Sequence, residues 1–170
     1  MLLFDRRAVE GKAAVVEAEL PASDPIWQAT DPVPSGPLRV TGRLSSAGSG
    51  RFYWHGSVEG DITLPCRRCL TDVSAHVQDE SHVIFAEAGS DEVDDPDVQV
   101  LDERSTVIDL RPTIREQWLL NAPSFAVCRE DCKGICPTCG KDLNEGPCKC
   151  PATRSADTRW DALRKIQTKE

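Results

Sequence analysis

From Leu38 the chain alternates: Leu38, Val40, Gly42 and Leu44 are separated by polar partners, the period-two signature of a strand with one buried face. Ser45-Ser-Ala-Gly-Ser-Gly50 supplies turn chemistry, and Phe52, Trp54, Val58, Ile62 and Leu64 then resume the alternation up to Cys66. This predicts a second, longer strand, with Gly56 and Gly60 as candidate bulges. Beyond Cys69 the series Val73, Ala75, Val77, Val83 and Phe85 predicts a third strand, which places Cys66-Arg67-Arg68-Cys69 at a hairpin tip. Asp109 is a candidate N-cap and Pro112 suits a first turn. Leu110, Ile114, Trp118 and Ala122 recur at helical spacing until Asn121-Ala-Pro123 stops the run. The expectation is one long amphipathic helix over 108–123 with Trp118 as its core anchor. Thr158-x-x-Asp161 resembles a capping box, and Trp160, Leu163 and Ile166 form an apolar stripe, which predicts a short closing helix.

Two segments break this periodicity. Residues 21–37 hold five prolines, a density that excludes a regular helix or a central strand, so 1–37 reads as an N-terminal arm and Pro-rich loop. Residues 87–104 carry eight acids and one base and read as a solvated excursion of the sheet. Solubility explains such a stretch; an acidic decoy surface for a basic partner is the sharper reading. The predicted organisation is α+β: an antiparallel sheet over 38–107, barrel-like or strongly twisted, the helix of 108–123, and a Cys-rich module with its terminal helix over 124–170.

At 170 residues the chain can bury about 70% of its unfolded surface, enough for a real core. Its net charge of -8 argues against a protein that coats nucleic acid by bulk electrostatics. The charge is divided unevenly: residues 1–110 hold 9 Lys and Arg against 20 Asp and Glu, whereas 111–170 hold 11 against 8. Polyanion contact therefore belongs at the C-terminal end. A four-thiolate zinc site carries a formal charge of about -2, however, which offsets that surplus.

The strongest chemical signal is in the cysteines. Six of the eight lie in Cys128-x3-Cys132-x3-Cys136-Pro-Thr-Cys139-Gly-x7-Cys148-x-Cys150, and the other two are Cys66 and Cys69. Thiolate is the soft ligand zinc prefers, and a Cys-x2-Cys turn lets two sulfurs converge on one ion while backbone N–H groups point at them. Disulfides are the rival. Met1-Leu-Leu-Phe4 offers four apolar residues before charge intervenes, short of the roughly 7 to 15 of a signal peptide. No apolar run approaches the roughly 20 residues that span a bilayer, so the expected setting is a reducing cytoplasm and not a membrane.

A tetrahedral structural site takes four ligands. The most economical set is Cys136, Cys139, Cys148 and Cys150. The remaining Cys66, Cys69, Cys128 and Cys132 make a second set that would tie the hairpin tip to the start of the module. The alternative for that set is one ion in the six-cysteine cluster, with Cys66 and Cys69 as small hydrophobes at a hairpin end. The cofactor expectation is thus one Zn2+, or two where the second set also binds. A structural site contributes an apparent 10 to 16 kcal/mol or so, comparable with the roughly 5 to 15 of a whole domain. A segment this poor in apolar residues therefore depends on it.

Catalytic readings fit less well. Cys66-x-x-Cys69 as a redox pair would need a helix N-terminus to lower a thiol pKa, and a strand signature follows instead. A hydrolytic zinc site keeps a position open for water and usually employs His. His55, His76 and His82 lie among strand segments without ligand spacing and read as surface or satisfied histidines. For RNA or partner contact the candidates are Arg67 and Arg68 beside one thiol pair and Lys133, Lys141 and Lys149 around the others.

Taken together, Cys66-Arg-Arg-Cys69-Leu70, Ile108-Asp-Leu-Arg-Pro-Thr-Ile-Arg-Glu-Gln-Trp118, Cys128-Arg-Glu-Asp-Cys-Lys-Gly-Ile-Cys-Pro-Thr-Cys-Gly140, Leu143-Asn-Glu-Gly-Pro-Cys-Lys-Cys150 and Arg159-Trp160 resemble the YceD family of large ribosomal RNA subunit accumulation proteins. The resemblance covers roughly residues 38–166. It departs mildly at Asp142, where the family often has Asn, and at Thr158, where it often has Pro. It implies a cytoplasmic bacterial protein, or a plastid relative, needed for accumulation of large-subunit (23S) ribosomal RNA. That is a factor in 50S assembly, not an enzyme, whose partners are that RNA or a pre-50S particle, or a ribosomal protein, and no small-molecule substrate. A zinc-stabilised protein adaptor without RNA contact is the alternative.

Overall fold

The computed structural model describes residues 1–48, 50–87, 98–102 and 104–151. Its elements run β1 (Leu3–Asp5), α1 (Arg6–Gly11), β2 (Ala14–Leu20), β3 (Leu38–Gly48), β4 (Arg51–Pro65), β5 (Asp72–Glu87), β6 (Val98–Leu101), β7 (Val107–Asp109) and α2 (Arg111–Asn121). The architecture is α+β and mostly strand. A five-stranded sheet has the order β2-β3-β4-β5-β6, and β1 pairs with β7 in a small second sheet. Among the described residues no helix is long and apolar enough to cross a membrane.

The alternation read from Leu38 onward sets the buried face. Leu38, Val40 and Leu44 on β3 and Phe52, Trp54, Val58 and Ile62 on β4 all point into one core, which Ile108, Leu110, Ile114 and Trp118 close from the helix side. Trp118 is 1% exposed, and its indole Nε1–H donates to the Pro32 carbonyl at 2.7 Å, which pins the Pro-rich loop to α2. Cys66 continues the even-numbered series of β4 and so arrives buried at the end of the same face.

Gly56 and Gly60 are not bulges. The β4–β5 register runs unbroken from Phe52↔Phe85 to Pro65↔Asp72, and the shift in β3–β4 falls between Ser46 and Gly48, beside the turn. Gly42 and Gly56 are paired across β3 and β4 because the Trp54 ring lies over both. A Cβ at Gly56 would sit 2.2 Å from Trp54 Cζ2, and one at Gly42 would sit 2.7 Å from its Cη2. The glycines leave room for a ring, not for an extra residue.

Four expectations change further. The helix is eleven residues long, Arg111–Asn121, an ordinary length and not a long one. Its N-cap is Leu110, without a side-chain cap; Asp109 ends β7, accepts from the Arg111 backbone N–H at 3.0 Å and pairs with that residue's guanidinium. The sheet is not wholly antiparallel, since β6, inside the acidic stretch, pairs parallel with β5. The arm of 1–37 contains β2, which adds an antiparallel strand beside β3 and buries Val16 and Leu20. The closing helix read at Thr158, Trp160, Asp161, Leu163 and Ile166 lies outside the described residues, as do residues 88–97 of the acidic stretch.

Candidate metal centres

At the β4–β5 tip the backbone turns back tightly. Leu70 N–H donates to the Cys66 carbonyl at 2.9 Å, Cys66 N–H donates to the Thr71 carbonyl at 2.8 Å, and Leu70 takes a positive φ of 64°. The chain leaving α2 runs beside this tip. Cys66 forms a parallel bridge with Ala126, and Arg67 N–H donates to the Ala126 carbonyl at 2.8 Å. Farther on, Ile135 N–H donates to the Arg68 carbonyl at 3.0 Å. Gly134 makes that approach possible, with a φ of +74° and a would-be Cβ 2.9 Å from the Arg68 oxygen. Arg68 completes the tie, its Nη1 donating to the carbonyls of Glu130 and Cys132, both at 3.0 Å.

These ties bring Cys66, Cys69, Cys128 and Cys132 into one group whose sulfurs lie within 4.8 Å of one another. Cys66 and Cys132 Sγ are 3.9 Å apart and Cys69 and Cys128 Sγ are 3.6 Å apart. Four sulfurs each about 2.3 Å from a tetrahedral zinc ion are set about 3.8 Å apart, whereas a disulfide needs about 2.05 Å. All eight cysteines are free thiols.

Cys136, Cys139, Cys148 and Cys150 form a second group within the same limit. The knuckle is held by Gly140 N–H to the Cys136 carbonyl and by Cys136 N–H to the Lys141 carbonyl, both at 2.9 Å. An antiparallel bridge between Ile135 and Asp142 extends it. The two groups share the short segment 132–136, with Cys132 in one and Cys136 in the other. Asn144 spans them: its side chain accepts from Lys133 N–H at 2.8 Å and its amide donates to Cys132 Sγ at 3.5 Å. Asp142 receives Asn144 N–H at 2.8 Å and so holds the turn.

The electrostatics fit a cation. Backbone N–H groups of Cys69 and then Cys128 bring the Cys66 thiol down to about 6. Those of Cys139 and Thr138 do the same for Cys136, also to about 6. Cys132 is lowered chiefly by the Asn144 amide. Burial, followed by the Cys132 thiol, pushes Cys128 up to about 12; the bond to Cys139, followed by burial, pushes Cys150 up to about 12. The first group thus holds two lowered thiols, Cys66 and Cys132, beside the raised Cys128, and the second holds the lowered Cys136 beside the raised Cys150. A divalent ion is what favours the fully deprotonated set. The donors are soft and each set of four sulfurs lies within 4.8 Å, so both groups suit zinc.

Of the residues read as contact candidates, Arg67 is exposed and lies 4.5 Å from the centroid of the Phe125 ring. Arg68 is engaged within the protein as described. Lys141 Nζ donates to the Pro147 carbonyl at 3.4 Å, and Lys133 and Lys149 are exposed. Phe125, Asn144 and the bracing role of Arg68 escaped the sequence reading. Their signal is tertiary, since each acts on a segment distant in the chain.

Comparison with known proteins places the chain in a lineage. The family model for large ribosomal RNA subunit accumulation protein YceD matches residues 54–167. The uncharacterized protein YlbN of Bacillus subtilis (strain 168) is 32% identical over 107 residues, covering 62% of this chain and 60% of that protein. The uncharacterized proteins Mb2951c of Mycobacterium bovis and Rv2926c of Mycobacterium tuberculosis are each 35% identical over 114 residues, covering 62% of this chain and 53% of theirs. The chain therefore spans about half to three-fifths of the length of these curated relatives. No solved structure matches it significantly.

Proposed function

This chain belongs to the family of large ribosomal RNA subunit accumulation protein YceD, and we propose that it is a non-enzymatic, cytoplasmic zinc-binding factor. It supports accumulation of large-subunit (23S) ribosomal RNA and assembly of the 50S subunit. The observation that carries the reading is the pair of four-cysteine groups sharing segment 132–136. Through them the sheet's hairpin tip and the C-terminal module become one rigid surface. Zinc, when bound, supplies cross-links in a segment poor in apolar side chains.

The reading is of a scaffold because each four-sulfur set would fill a tetrahedral shell and leave no position for a reacting water. A thiol redox role for Cys66 and Cys69 is disfavoured, since each sulfur faces a partner in a second segment, Cys132 and Cys128 respectively. The contact surface is the rim of the two groups. Arg67 stacked on exposed Phe125 offers a planar cation and an aromatic face to unpaired bases, and Lys133 and Lys149 offer charge to phosphates. A protein adaptor is the second reading, favoured by the exposure of Leu70, 62%, and Phe125, 69%.

Affinity capture of the tagged protein from its host tests this reading. Recovery of pre-50S particles, released steeply as salt rises and reduced by the Arg67→Ala/Lys133→Ala/Lys149→Ala variant, supports RNA contact. Recovery of one ribosomal or assembly protein, retained at high salt and lost in Phe125→Ala, supports the adaptor. Recovery of neither contradicts the assembly role.

A further inference from the structure

The outer face of the sheet carries a cluster that linear spacing conceals. His55 and His82 are directly paired across β4 and β5, and their rings stack with centroids 4.3 Å apart and planes 11° apart. Glu80, two residues along β5 on the same face, hydrogen-bonds His55 Nε2. The ligand atoms of His55, Glu80 and His82 all lie within 4.8 Å of one another. The two histidines are 27 residues apart in sequence, so no Cys- or His-type motif announces them; the unbroken antiparallel register brings them together.

We propose that His55, Glu80 and His82 form a third metal site, for a zinc-class divalent ion, on the face of the sheet remote from the cysteine groups. Two imidazoles and one carboxylate are borderline donors of the kind such ions accept, and three protein ligands leave positions for water. His55 and Glu80 also line a basin of about 560 Å³ together with Thr41, Arg43, Ser57 and Gln78, which gives those waters room.

Tyr53 has the part of a positioning residue. Its hydroxyl lies 2.5 Å from His82 Nδ1, and when Nδ1 donates that bond, the Nε2 lone pair is left for the metal. Binding requires the stacked rings to tilt toward a common point, and both project from the exposed side of the strands. Arg43, paired with His55 from β3, puts a positive charge beside the site. The site is accordingly weaker and more readily exchanged than four thiolates. The nearby His76, held by Asp61 at 2.8 Å, belongs to a separate contact and serves as the internal control.

The test is a titration of the full chain, purified with its resident metal, with Zn2+ alone. It is followed by calorimetry and by the imidazole nitrogen resonances. The wild type is expected to take up one more equivalent than the His55→Gln/His82→Gln variant, with the His55 and His82 nitrogens shifting and those of His76 unmoved. Glu80→Gln and Tyr53→Phe, which leave both imidazoles in place, are each expected to weaken that uptake about tenfold. Equal uptake by wild type and double variant, or equal shifts at all three histidines, would overturn the proposal.

Discussion

Cys66, at the end of β4, and Cys132, in the C-terminal module, hold their sulfurs 3.9 Å apart across 66 residues of chain. The sheet and the module meet there. Cys66, Cys69 and Cys132 form a small buried cluster of their own, separate from the apolar core beneath the sheet. Cys132→Ser is therefore predicted to remove one of two zinc ions and loosen the module while the sheet stays folded. Native mass spectrometry reports the ion count, and near-ultraviolet circular dichroism, to which the buried Trp54 and Trp118 contribute, reports the core.

Arg68 braces that junction from outside the ligand set, since one nitrogen of its guanidinium serves both the Glu130 and Cys132 carbonyls. Arg68→Ala removes no ligand yet frees the loop that presents Cys132. Groups of this kind typically affect metal affinity by about 10 to 100-fold. The expected result is a loss of about tenfold at the first group only, read by competition with a chromogenic chelator. Unchanged affinity would make the two bonds incidental.

The strands from Leu38 to Phe85 were legible because alternation is a local property and their buried face is continuous. The Cys136, Cys139, Cys148 and Cys150 group was suggested by its spacing, whereas the Cys66, Cys69, Cys128 and Cys132 group was only the remainder, beside the alternative of one ion in the six-cysteine cluster. β2 was hidden, because Val15 and Val16 are adjacent and Ala14 and Ala18 are small, which blurs the period. β6 was masked by the surrounding acids, and nothing in its four residues specifies parallel pairing. The His55, Glu80 and His82 cluster and the bonds of Arg68 depend on which strand or loop lies beside which. That information resides in the register and not in any one segment.

Gly56 tests the packing account of the sheet. A methyl group there would sit 2.2 Å from Trp54 Cζ2, and the Trp54 ring is fully buried, with little freedom to withdraw. Gly56→Ala is predicted to destabilise the fold by about 3 kcal/mol, at the upper end of overpacking costs, as measured by urea unfolding. Gly36→Ala, where a Cβ meets nothing within 4 Å, is the matched control and should lie within about 0.5 kcal/mol of wild type.

Asp31 and Arg115 give the pH dependence. Arg115 Nε and Nη2 donate to the two carboxylate oxygens at 2.7 and 2.8 Å, fastening the Pro-rich loop to α2. That bond, with a second from Gln28 N–H, holds the Asp31 carboxyl below its ordinary value of 3.8. A depressed carboxyl contributes stability that is fully present above the unfolded value and lost as pH falls through the folded one. The stability difference between wild type and Asp31→Asn should therefore be constant at neutral pH and shrink below about pH 4. Chemical unfolding of both proteins across that range measures it.

The most direct measurement is the zinc content of the reduced, purified full chain, with the wild type set beside Cys66→Ser and Cys136→Ser. Two ions per chain, one in either variant and none in the double variant, is the predicted result. Fewer than two ions in the wild type, or a count that Cys66→Ser leaves unchanged, would contradict a module built on two four-cysteine centres.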